Sequence, residues 1–79
     1  MRVPQFFLNV CDGRYRHIDP RGYEFASLEQ ARSAAIQVAR EVAEDDRLVS
    51  GALDAKRIEI ADAEGHTLVT VPVREALRN

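Results

Sequence analysis

Apolar residues recur along this chain with two different periods. Between Ser27 and Val42 they follow the helical period of about 3.6 residues, which places Leu28, Ala31, Ala35, Val38, Ala39 and Val42 on one stripe with Ile36 at its flank. Glu29, Ser33, Gln37, Arg40, Glu41 and Glu44 lie opposite, so the segment predicts one long amphipathic helix spanning Leu28 to Val42. Ser27 is placed to cap it, and Gln30 stands where a capping box needs a reciprocal side chain. The pattern loosens at Asp45-Asp46-Arg47, so the regular helix is expected to fade between Asp45 and Val49, with Ser50-Gly51 as a C-cap.

On either side of the helix the period drops to two. Val3 to Val10 is apolar or β-favouring and runs into Asp12-Gly13, a type I′ hairpin signal that would pair Val10 with Tyr15 and Leu8 with His17. This register sends Phe6, Leu8, Val10, Tyr15 and His17 to the expected core side, and Phe7, Asn9, Cys11, Arg14, Arg16 and Ile18 to the other. Asp19-Pro20-Arg21-Gly22 then turns the chain, and Tyr23-Glu24-Phe25 leads into the helix. After a short connection through Ala52-Leu53-Asp54-Ala55, Lys56 to Ala61 alternates as a half-buried strand with Ile58 and Ile60 inward. Asp62-Ala63-Glu64-Gly65 turns again, and Thr67 to Val71 returns as the last strand. Its register has two solutions: a bulge at Gly65 pairs Ile60 with Leu68, whereas a shift of one residue puts Val69 and Val71 inside. Pro72 ends the ladder, and Val73 to Leu77 suits a final helical turn.

The predicted class is therefore α+β, a ββαββ chain with a mainly antiparallel four-stranded sheet and one long helix packed on one face. Strand order 2-1-3-4, counted along the chain, lets the helical crossover be right-handed with the first strand lying between its ends. Residues 1–79 suffice for a single small domain. A hydrophobic content of 46% with 30% charged residues sets the chain apart from disordered tails and membrane segments, and no run approaches the ~18 apolar residues of a span. A net charge of −2 makes nucleic acid the disfavoured partner. The lone cysteine, Cys11, has no disulfide partner within the chain, which fits a reducing, cytoplasmic setting without a targeting or anchoring segment.

Candidate chemistry is sparse. No nucleophile, base and oxyanion donor can be named together, so no catalytic residue and no enzyme activity are expected. Cys11 has no neighbouring histidine, and His17 and His66 lack ligand spacing with Asp12, Asp19 or Asp62, so neither a metal nor a cofactor is expected. Glu41, Glu44, Asp45 and Asp46 crowd the polar side and end of the helix, which is the ordinary place for solvated charge. The glycines are scattered among turns rather than gathered into a phosphate loop. Two surfaces remain. On the sheet face opposite the helix the predicted register makes Phe7 and Ile18 cross-strand neighbours, joined by Val69 or Val71; this is the expected interface for a second copy or an unidentified protein. Arg14, Arg16 and Arg21, interleaved with Tyr15 and Tyr23, are the alternative, as nucleic-acid contacts. Against it, Tyr15 falls on the opposite face from Arg14 and Arg16.

The ordered set Gln5-Phe6-Phe7-Leu8-Asn9-Val10, Asp12-Gly13, Gly22, Leu28-Glu29-Gln30-Ala31, Arg57-Ile58-Glu59-Ile60, Asp62 and Gly65 resembles domain-of-unknown-function family 6894, a family of small bacterial proteins. The resemblance spans nearly the full chain. It implies a bacterial source and supports the fold, and it lends no activity, substrate or catalytic residue. Gly22 to Ala31 also looks like the strand-to-helix passage of HicB-like antitoxin domains, although no separate helical or ribbon segment for DNA follows the sheet here. The first functional reading is a non-catalytic protein-interaction or self-associating module. A nucleic-acid-binding or antitoxin-like regulatory module is the alternative.

Overall fold

The computed structural model describes residues 4–46 and 55–77, which run in the order β1 (Gln5–Asp12), β2 (Tyr15–His17), β3 (Tyr23–Glu24), α1 (Leu28–Asp46), β4 (Lys56–Ala61), β5 (Thr67–Pro72) and α2 (Val73–Ala76). The α+β class holds. All pairings are antiparallel, and β2-β1-β4-β5 is the order expected from the crossover argument. The short strand β3 is an addition, pairing Gln5 with Glu24 and Phe6 with Tyr23 at the start of β1. Together β2 and β3 form one interrupted edge strand: between the Val10–His17 and Phe6–Tyr23 pairs, β1 spends residues 7–9 while the edge strand spends residues 18–22. The surplus loops out at Asp19.

The first hairpin turns one residue later than the Asp12-Gly13 signal suggests. Asp12 pairs with Tyr15 and Val10 with His17, leaving Gly13-Arg14 as the loop, with a positive φ at Gly13 alone, the signature of a type II′ turn. Two contacts hold Asp12 in the strand. Its carboxylate takes the Lys56 ammonium at 2.9 Å, and the Gly13 N–H donates to the Ala55 carbonyl at 2.9 Å. Because both partners move together, the division of residues between the two faces survives. The expected pairing of Phe7 with Ile18 does not: the β1–β2 ladder ends at the Val10–His17 pair, so Ile18 lies past its end, and on its other side Phe7 pairs with Ala61 of β4.

The core forms between α1 and the sheet face that carries Phe6, Leu8, Ile58, Ile60 and Val71. On the helix its innermost line is Ala31, Ala35, Ala39 and Ala43, one residue per turn, with Ile36, Val38 and Val42 packed at the flanks. Small side chains let the helix sit close to the strands, so the larger residues fill the margins. Leu28, expected in the stripe, is exposed instead. The helix lies mainly against β4, β5 and α2. It leaves β2 uncovered, so Tyr15, expected in the core, is 75% exposed, and His17 is exposed beside it.

The capping box forms one residue out of step: Ser27 Oγ accepts the Gln30 N–H at 3.2 Å, while Gln30 Oε1 accepts that of Ala26 at 3.0 Å. The expected C-cap at Ser50-Gly51 and the link through Ala52 to Asp54 lie outside the described residues. In the last strand the second register is the one adopted. Ile60 pairs with Val69 and Ile58 with Val71, with Leu68 as the extra residue of a bulge before the Ala61–Thr67 pair. This corrects the expected interface, since Val71 is buried on the helix side and Val69 packs against the same core. Val73 and Ala76 bury α2 against α1, where Arg40 Nε donates to the Ala76 carbonyl at 3.2 Å.

Candidate interface on the outer sheet face

Alternation places Phe7, Asn9, Cys11, Arg57, Glu59, Ala61 and Thr70 on the face turned away from the helix, with Arg16 beside Cys11. The middle of this face is polar. Glu59 is bracketed by two guanidinium groups, Arg16 Nη2 at 2.9 Å and Arg57 Nε at 3.1 Å, so its carboxylate is neutralised and the trio keeps a net positive charge. Cys11 is fully buried among them. Burial pushes its thiol up, the Glu59 charge adds to this, and Arg57 and Arg16 oppose it. The thiol form is thus favoured, the reverse of what a reactive cysteine requires.

The apolar part of the face lies at one end. There Phe7, Ile18 and Ala61 line an open hollow of about 290 Å³, with Asn9, Arg16, Asp19 and Asp62 contributing its polar lining. Asp19 fixes one side. Its Oδ1 accepts the N–H groups of Gly22 at 3.0 Å and Arg21 at 3.1 Å, its Oδ2 that of Leu8 at 3.3 Å, and its own N–H donates to Asn9 Oδ1 at 2.9 Å. Burial pushes the Asp19 carboxyl up, but the bonds from Gly22, Arg21 and Leu8 outweigh it and hold the group below its ordinary value. Gly22 completes the wall at φ +76°, where an added Cβ would lie 2.8 Å from Phe7 Cε2. The loop therefore closes against the Phe7 ring and leaves Ile18 beside the hollow.

Asp62 fixes the other side by the same means. Its Oδ1 accepts the His66 N–H at 2.8 Å and the Glu64 N–H at 3.0 Å, and its Oδ2 lies 3.3 Å from His66 Nδ1. The His66 backbone bond is the main cause that holds this carboxyl low. Both acids are committed to backbone donors, Asp62 within its own turn and Asp19 within its turn and at Leu8 of β1. Among the described residues no group of three His, Cys, Asp or Glu side chains converges as a metal would need.

Of the residues expected at a protein interface, Phe7 and Ile18 meet at this hollow, and Val69 and Val71 do not. Asn9, Asp19, Ala61 and Asp62 were not foreseen there. The signal that finds the two acids is a repeated spacing, Asp19-x-x-Gly22 and Asp62-x-x-Gly65, in which the acid starts a turn that the glycine ends. The alternative nucleic-acid residues are not gathered. Arg14 sits exposed in the hairpin loop, Arg16 is engaged by Glu59, and Arg21 belongs to the loop tied to Gln5 at the far end of β1.

A family model described as a domain of unknown function, DUF6894, matches residues 5–74, from the first residue of β1 into α2. No curated protein and no solved structure matches the chain. Among the described residues no helix is long and apolar enough to cross a membrane.

Proposed function

The chain belongs to the DUF6894 family, and with no activity supplied by that family we propose that it is a non-catalytic binding module whose outer sheet face holds a protein partner at the Ile18 hollow. One observation carries this reading: Ile18, 58% exposed, is fixed by the Asp19 loop beside a concavity lined by Phe7 and Ala61. A single exposed isoleucine needs no explanation. An isoleucine held beside a half-buried aromatic ring, with polar groups around both, is the arrangement that receives an apolar anchor from a partner. Covering it contributes roughly 2–4 kcal/mol before the cost of association, so a partner must add contacts around the polar lining. In this reading the setting is a reducing bacterial cytoplasm, where a lone thiol such as Cys11 stays reduced.

The test compares wild type with Ile18→Ser, which leaves the helix-side core untouched. Both are immobilised, passed over lysate of the native host and washed, and the retained proteins are identified by mass spectrometry. A protein kept by wild type and lost by the variant supports the proposal. Identical retained sets, with circular dichroism showing both baits folded, refute it.

A further inference from the structure

The two edges of the sheet differ sharply in how they are guarded. The β2/β3 edge consists of strands of three and two residues, broken by the Asp19 loop with Pro20 in it and bordered by Arg14, Arg16 and Arg21. Short strands, an interruption and basic side chains all discourage a further strand from pairing. The β5 edge carries six residues, Thr67-Leu68-Val69-Thr70-Val71-Pro72, without a single charge. Among the described residues β5 pairs with β4 alone. Leu68 and Thr70 are exposed, and Val69 is only partly covered by the core it packs against.

We propose that a second copy of this chain pairs with β5, antiparallel about a twofold axis near Thr70, so that the two sheets become one. An unpaired edge recognises another edge through main-chain hydrogen bonds, and the choice of occupant follows from charge and closure. Charge permits a copy: a twofold axis sets each β5 residue against β5 of the partner, and no like charges meet. Closure follows from the opposite edge, which is guarded, so β5 cannot readily add to β2 of another molecule and grow a fibre. Extent is limited as well. The bulge at Leu68 and the missing N–H of Pro72 bracket Val69 to Val71, which confines the ladder to a short, discrete dimer. This surface is separate from the Ile18 hollow, and it stands or falls independently of it.

Sedimentation equilibrium over a concentration series, on wild type, Thr70→Lys, Thr70→Val and Ile18→Ser, tests the proposal. Wild type is expected to fit a monomer–dimer equilibrium. Thr70→Lys sets two like charges opposite each other at an exposed position and should raise the dissociation constant by about tenfold or more, while Thr70→Val should leave it within about twofold. Ile18→Ser should dimerise as wild type does, which separates this surface from the outer face. A wild type that stays monomeric at millimolar concentration, a dimer indifferent to Thr70→Lys, or open-ended growth would each overturn the proposal. Should Thr70→Lys fail to fold, amide exchange on wild type decides: protection at Thr70 that rises with concentration supports the β5 dimer, and protection that rises at Tyr15 to His17 instead refutes it.

Discussion

Asp19 uses one carboxylate both to close its own turn and to tie that turn to β1 through the Leu8 N–H. Asp19→Ala leaves those N–H groups without their acceptor and should cost about 1–3 kcal/mol in denaturant unfolding, with Asp19→Asn costing less because one oxygen remains. The pH dependence has a definite sign. A carboxyl held low in the folded chain contributes stability that is fully present above its unfolded pKa and is lost as pH falls through the folded value. The melting-temperature gap between wild type and Asp19→Asn should therefore be constant above about pH 5 and shrink below about pH 4. Gly22 offers a second check, because its positive φ coincides with the Phe7 ring whereas Gly13, also at positive φ, has nothing within 4 Å of an added Cβ. Both alanine variants bear the backbone strain of roughly 1–2 kcal/mol, and only Gly22→Ala adds a steric term, so it should melt lower. The turns themselves were readable from Asp and Gly spacing. That Asp19 reaches back to β1 was not, since nothing local to residues 19–22 names Leu8.

At the scale of elements, the helical period locates α1 and its stripe, while hydrophobicity does not tell which members of the stripe lie deepest. Leu28 and Val38 carry more apolar surface than alanine, yet Ala31, Ala35, Ala39 and Ala43 hold the innermost line because only small side chains permit so close an approach to the sheet. Enlarging that line should be worse than trimming the margin. Ala39→Leu, at a position with 0% exposure, is expected to destabilise by about 1–3 kcal/mol through overpacking, and Val38→Ala at the half-buried flank by less, both read from denaturant midpoints at constant m-value. The strands show the same limit of local reading. Period two assigns alternate residues of β5 to opposite faces but not which set faces the helix; the bulge at Leu68 decides it, directly after a turn that Asp62 and His66 close.

At the scale of the whole molecule, strand order was accessible because crossover handedness leaves few topologies, whereas the outer-face hollow was not, because it draws on three segments that meet only after folding: residues 7–9, residues 16–19 and residues 61–65. The same assembly redistributes the basic residues on which nucleic-acid binding would depend. Arg14 and Arg21 stand toward opposite ends of β1, and Arg16, the one between them, is held 2.9 Å from Glu59 beside a second guanidinium. A phosphate that recruited Arg16 would have to displace Glu59, and it would approach a chain of net charge −2. Fluorescence anisotropy with labelled single-stranded RNA and duplex DNA at low salt is therefore expected to show no saturable binding. Binding that weakens as salt rises, and that Arg14→Ala/Arg21→Ala removes, would reverse this conclusion and make the basic β2/β3 edge, rather than the Ile18 hollow, the functional surface.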